Sequence, residues 1–227
     1  MFENIKIEAS CRMGPKVSTR EGAGDRCQQQ RGVSLLEMVI VLCVSLIIGA
    51  IAVLNVQTTS RVIHLHESGS EYANLLQTAR IRAIQGDSYY IVKTDTSVNP
   101  ARAFVDIAGT GFYSNGDPLM VFASDVTSMP FASGPGLANL KSQFLPPGAA
   151  AQGSVDPNNP NPTFGSRGLP CTPNAGTCPY LTAANTVTSY VTFIQNTQSG
   201  KWEAITVNPA GRIRLWAYEG TTWSPLN

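Results

Sequence analysis

Polar and apolar positions divide the chain into three stretches of different character. Residues 1–32 are polar, with Lys6, Arg12, Lys16, Arg20, Arg26 and Arg31 spread among them and no apolar run long enough for a strand or helix core. An apolar stretch begins abruptly at Val33, and from Met38 to Leu54 it runs for seventeen residues without a charge. Counted from Val33 to Val56 it has twenty-four positions. At about 1.5 Å per residue that crosses a hydrocarbon core of about 30 Å. A secretory signal would have an apolar region of only about 7–15 residues followed by a small-residue cleavage site; this run is longer, and no A-x-A-like site with polar residues follows it closely. The basic flank before it and the neutral polar flank after it place the N-terminal side in the cytoplasm.

The pattern then changes period. Tyr72, Leu75, Leu76, Ala79, Ala83 and Ile84 recur at three- and four-residue steps, while Glu67, Glu71, Arg80 and Arg82 fall off that stripe. This is an amphipathic helix continuing from the apolar one. No proline interrupts residues 33–85, and Gly86 is the expected stop. Beyond it, Tyr89–Lys93, Ala101–Ile107 and Leu119–Ala123 are short runs rich in β-branched and aromatic residues. Residues 125–185 are rich in Gly, Pro and Asn, and read as long surface loops with at most one short strand. Three clearer strands close the chain, Thr186–Gln195, Lys201–Val207 and Arg212–Tyr218, joined by short turns at Asn196–Gly200 and Asn208–Gly211. Short turns imply an antiparallel meander. The expected fold is α+β: a long N-terminal helix, half transmembrane (33–56) and half amphipathic (57–86), packed on the antiparallel sheet of a β-rich domain at 87–227.

Composition adds little to this picture. The chain has 227 residues and only 14% charged positions, below the usual quarter. Its net charge of +1 hides an asymmetry: six Lys/Arg against four Asp/Glu in residues 1–32, and ten against eleven in the remainder. The body is therefore not a broadly basic, nucleic-acid-like surface. G-x-S-x-G, G-x-x-x-x-G-K-[ST] and H-E-x-x-H do not occur, so no enzymatic function and no cofactor are expected. His64 and His66 are two apart and do not share a helix face, so they read as solvated side chains rather than a metal pair.

One residue is wrong for a simple anchor. Glu37 lies inside the apolar run, where an acid costs up to about 2.5–3.5 kcal/mol at a helix centre and less near an end. Arg31-Gly32-Val33-Ser34-Leu35-Leu36-Glu37 resembles the cleavage and methylation motif of type IV prepilins and type II secretion pseudopilins. The resemblance implies a leader of residues 1–32, or one starting at Met13, that a prepilin peptidase removes after Gly32. It implies an N-methylated terminus at Val33, and an assembly role for Glu37 through other pilins or pseudopilins. It places the chain in the bacterial inner membrane, single-pass with a periplasmic C-terminal domain, and then in a pilus or pseudopilus. The physical logic agrees: a carboxylate in an apolar bundle needs a cation, and the amine of a neighbour's Val33 exists only after cleavage.

Three further segments are similar to the GspH/FimT group of this family: Leu75–Gly86 (LLQTARIRAIQG), Phe164–Gly168 (FGSRG) and Ala204–Leu215 (AITVNPAGRIRL). In the FimT branch a G-R-x-R hairpin is implicated in binding DNA, which by resemblance marks Arg212 and Arg214. On a strand Arg212, Arg214, Trp216 and Tyr218 would share one face, a strip able to meet phosphates and bases; the alternative is a solvated face with arginine stems lying on the sheet. Cys171 and Cys178 sit in a Pro/Gly-rich loop, where an oxidising compartment favours a local disulfide over two free thiols. Cys43 reads as a small apolar residue of the membrane run, and Cys11 and Cys27 belong to the leader. Two functions thus compete within the family, a filament subunit and a DNA-binding minor pilin, and a plain membrane-anchored periplasmic protein is the third reading.

Overall fold

The computed structural model describes residues 34–146, 150–153, 161–174, 176–180 and 187–226. Helix α1 runs unbroken from Leu35 to Gln85. The chain divides into two compact units with the boundary after Leu46. In the first turns of α1 the apolar side chains Leu35, Leu36, Met38, Val39 and Ile40 are all exposed. This is the one helix among the described residues long and apolar enough to cross a membrane.

The later turns of α1 bury one stripe. Leu65, Tyr72, Leu75, Leu76, Ala79 and Ala83 are buried in the main core, joined by the buried Ser68. Ile84, expected on this stripe, is half exposed instead. The helix ends in a hydrogen-bonded turn: Gly86 N–H donates to Arg82 O and Ser88 N–H to Ala83 O. The left-handed position is Asp87, at φ 44°, and not Gly86. Gly86 serves close approach instead, since a Cβ there would lie 2.9 Å from the Tyr90 hydroxyl.

Two sheets meet α1. The first contains β1 (Tyr90–Asp95), β2 (Arg102–Asp106), β3 (Leu119–Val121) and β6 (Thr163–Phe164), in the order β3-β2-β1-β6 and antiparallel throughout. The second is built on β7 (Thr188–Asn196), β8 (Trp202–Val207), β9 (Ile213–Tyr218) and β10 (Trp223–Leu226), with β4 (Val126–Met129) on the far side of β7. Strand β5 (Ala150–Gly153) also pairs with β7, and it does so in parallel, an exception to the antiparallel expectation.

Alternation on β7–β9 serves two cores. Tyr190, Ile194, Ile205, Val207, Ile213 and Leu215 face α1. Val191, Phe193, Ala204 and Trp216 face a second cluster, joined by Trp223 of β10. Helix α2 (Leu137–Phe144) covers that second cluster with Leu140 and Phe144, and the short turn Phe131–Ser133 adds Phe131. The segment expected as loops therefore supplies β4, α2, β5 and β6. Of these, α2 forms because the otherwise bare outer face of β7–β9 is apolar and has to be covered.

Close approach of α1 to β8 requires Gly69. A Cβ there would lie 2.6 Å from Oε2 of Glu203 and 2.9 Å from Cδ1 of Leu215. Gly69→Ala is expected to lower the urea midpoint of the chain by an amount equivalent to about 1–3 kcal/mol. That is the reverse of the roughly 1 kcal/mol gain that alanine brings to an unobstructed helix.

Candidate functional site

Glu37 sits in the first turn of α1, with its backbone N–H donating to Ser34 O at 2.9 Å. It is exposed, and the apolar side chains around it are exposed as well. It is the only charged residue between Ser34 and Ser60. Near a helix N-terminus the dipole favours its charge modestly. The cleavage and methylation positions Gly32 and Val33, with the leader 1–32, lie outside the described residues.

The three segments that carried the GspH/FimT resemblance come together in space. Arg80, from the α1 segment, donates from Nη1 to the carbonyl of Gly211 at 3.0 Å, across 131 residues of chain. Gly168, from the FGSRG segment, lies against the same guanidinium: a Cβ on it would sit 3.2 Å from Nε of Arg80. Gly211 and Gly168 also touch, since a Cβ on Gly211 would stand 2.8 Å from the Gly168 carbonyl. Both glycines have positive φ, 70° and 76°, so only glycine suits either the space or the backbone. Arg167 and Arg212 flank this junction in the chain and are exposed. Arg167 lies over the Tyr180 ring at 4.9 Å.

Arg214 shares a face of β9 with Trp216 and Tyr218 as the alternation expects, but that face is not an open strip. Arg212 precedes β9 and is exposed, and its N–H donates to Asn208 Oδ1. Arg214 is part-buried and lines a groove with Arg212, Pro225 and Leu226. The two aromatics of the supposed strip are already occupied. Trp216 is 2% exposed and donates from Nε1 to Thr206 Oγ1 at 2.8 Å. Tyr218 packs on Trp223 with ring centroids 5.0 Å apart. The cause is the second core under α2, which takes the face that would otherwise meet solvent. The groove thus offers guanidiniums without a stacking surface.

Cys171 and Cys178 are joined by a disulfide, with Cα atoms 5.3 Å apart. The loop is tied to the core through Cys171, whose N–H donates to Thr163 O and whose carbonyl accepts from the Tyr190 hydroxyl. Burial pushes the Tyr190 phenol far up from its ordinary range, so it remains a donor. Cys43 is a free, exposed thiol in the apolar half of α1.

Two acidic residues went unnoticed in the sequence. Asp125 is buried and lies 3.1 Å from His64 Nδ1. It also accepts from Asn196 Nδ2, which donates to the Arg61 carbonyl as well. Glu203 on β8 is only 4% exposed. Its Oε1 lies 3.6 Å from His66 Nδ1, and its Oε2 has no hydrogen-bond partner. The signal for it was in the pattern: Glu203 alternates in phase with the core residues Ile205 and Val207. The two histidines of α1, expected in solvent, are each half exposed and lean on one of these carboxylates.

Comparison with protein-family models, with curated proteins and with solved structures finds no match for this chain. The architecture is pilin-like: a long N-terminal helix whose first half is apolar enough to span a membrane, packed on antiparallel sheets.

Burial raises the Glu203 carboxyl from its ordinary 4.5 to about 7. The unfolded chain releases this proton first. The associated stability is therefore complete below about pH 4.5, declines as pH rises, and is gone above about pH 7. Glu203→Gln is expected to remove a loss on the order of 3 kcal/mol between pH 5 and pH 8, measured as the difference in urea midpoints between the parent and the variant at each pH.

Proposed function

We propose that this chain is a minor pilin or pseudopilin subunit of a type IV pilus or type II secretion machine, cut by a prepilin peptidase after Gly32 and assembled through α1. The observation that carries the reading is α1 itself. One unbroken helix holds an apolar, exposed half with Glu37 as its only charge, and a second half that builds the core of a β-rich domain. A subunit of this kind leaves the bilayer by exchanging lipid around its apolar half for the same halves of its neighbours. Glu37 then needs a cation, and the free amine of a neighbour's Val33 supplies one. The disulfide at Cys171–Cys178 supports exposure of the β-rich domain to an oxidising compartment. No catalytic step belongs to this function, and its partners are the peptidase, the inner membrane and other subunits.

Edman sequencing of the chain isolated from membranes is expected to begin at Val33; a chain left uncut at Gly32 is a plain anchored protein and rules out this function. Glu37→Ala leaves a neighbour's amine unpaired in an apolar bundle, a cost of about 3–5 kcal/mol for a fully buried pair. Its incorporation into filaments or tip complexes is expected to fall at least tenfold, with the β-rich domain still folded by its near-ultraviolet dichroism.

A second reading rests on the arginine junction. Arg80 pins Gly211, while Arg167 and Arg212 stand exposed beside it. This array suits phosphates better than bases, because Trp216 and Tyr218 are occupied. DNA would then be held by charge alone, with little sequence preference and a shallow salt dependence set by few contacts. In a gel-shift titration at 50 mM salt, Arg212→Gln with Arg214→Gln is expected to weaken duplex binding at least tenfold. Equal binding by the variant removes DNA from the function and leaves the subunit role standing.

A further inference from the structure

Strand β3 closes its sheet on one side, and its outer edge is open. The order β3-β2-β1-β6 leaves it paired with β2 alone. Pro118 O accepts from Val105 N–H, and Phe122 N–H donates to Ala101 O. In an antiparallel pair, alternate residues turn both backbone groups to the same side. Pro118, Met120 and Phe122 therefore face β2, and Leu119 and Val121 turn their N–H and C=O groups away from it. Among the described residues nothing bonds to those outward groups. Proteins commonly blunt such an edge with a lysine, a proline or an inward charge. Leu119–Val121 has none of these. The side chains of Leu119 and Val121 are exposed, on the sheet face away from α1, since Met120 between them lies in the α1 core.

Beside this edge lies an open groove of about 570 Å³, lined by β3 and by Glu71, Asn74, Leu75 and Thr78 of α1. Leu75 and Met120 give it an apolar floor, and Glu71 is exposed. Glu67 and Glu71 stand one turn apart on the helix, with no Lys or Arg within four positions of either. Like charges at that spacing repel, and among the described residues neither forms an ion pair.

We propose that β3 accepts one extended segment of a neighbouring subunit as an added antiparallel strand, with a lysine or arginine of that segment on Glu71. The inference takes the neighbour from the subunit reading. An added strand binds through main-chain hydrogen bonds, and its side chains decide which segment is chosen. Guest residues opposite Leu119 and Val121 pair with the open N–H and C=O groups. Their side chains stand beside exposed Leu119 and Val121, which favours apolar ones. The guest residue opposite Met120 points to the α1 face instead. A long basic side chain there lays its stem on Leu75 and Met120 and brings its cation to Glu71. A second copy of β3 is a poorer guest, because residues 117–123 (DPLMVFA) hold no cation and leave Glu71 unmatched.

The test uses the full chain in detergent micelles, isotopically labelled at leucine and valine nitrogen. The amide signals of Leu119 and Val121 are assigned through Leu119→Ile and Val121→Ile. The probe is the end-capped peptide Thr-Val-Lys-Val-Thr. One control carries N-methyl groups on both valines, which removes the donors that would face β3 and keeps every side chain. A second control has glutamate in place of the lysine. Expected is a saturable shift of both amides with the lysine peptide, and affinity at least about tenfold weaker for either control. Val121→Pro removes an outward donor and no bond to β2; read at Leu119, it is expected to weaken the peptide about tenfold or more. Glu71→Lys is expected to reverse the preference between the lysine and glutamate peptides. No saturable shift, equal binding of the N-methylated peptide, undiminished binding by Val121→Pro, or an unchanged preference in Glu71→Lys overturns the proposal. Shifts of the same amides on raising the concentration of the chain alone assign the edge to a second copy and overturn it as well. The N-methyl comparison needs no variant, so it decides the matter even if Val121→Pro folds poorly. The titration needs neither cleavage nor assembly: its failure removes strand addition and leaves the subunit reading intact, whereas an uncut Gly32 removes the subunit reading and leaves the pairing chemistry of β3 to stand.

Discussion

The closeness of α1 to the strands beneath it governs the β-rich domain. Gly69, Ala79 and Ala83 are the small positions of its buried stripe. They let one helix serve as a shared wall for the two sheets. Tyr72 shows the arrangement in one side chain: its ring stacks on Phe122, beside β3, and its hydroxyl accepts from Thr192 of β7. A helix held a few ångströms further off would leave voids along both sheets, and cavities of that kind are costly in a close-packed interior.

How much of this was legible in the sequence depended on whether the governing signal was local. The long helix was legible because uncharged residues followed by a three-four stripe have one economical solution. Six strands were legible from their runs of β-branched and aromatic residues and the turns between them. Helix α2 was not, because Leu137–Phe144 is only two turns long and buries two residues, too few for a period to show. Strands β5 and β6 were hidden for a related reason: they are short and exist because β7 and β1 offer edges to pair with. Strand β10 contains Pro225, which argues against a strand, yet it lies at the edge of its sheet, where a missing donor costs little.

The chemistry divides in the same way. The motif around Glu37 is contiguous and was readable as such. The arginine junction joins residues more than a hundred positions apart, and only the fold brings Arg80, Gly168 and Gly211 together. The error on the hairpin is instructive. Alternation correctly grouped Arg214, Trp216 and Tyr218 on one face, but it could not say that a second core would cover the aromatic end of that face and leave the arginine end open. Charge placement follows from this: guanidiniums remain where no helix covers the sheet, whereas Asp125 and Glu203 lie beneath α1 beside its histidines.

The order of contacts along the chain has a temporal side. Arg61 of α1 meets Asn196, and Arg80 meets Gly211, at separations of 135 and 131 residues. The second of the two sheets that cover the helix stripe is therefore made last. Until β7, β8 and β9 emerge, Tyr72, Leu76, Ala79 and Ala83 can pack only on the first sheet, and the side that meets Tyr190, Ile194, Ile205 and Val207 stays bare. Contacts of such long range slow folding, and bare apolar surface in the interval invites misassociation. A newly made copy thus passes through a window in which its helix is complete and its shelter is not, and the length of that window is set by how quickly the final forty residues arrive.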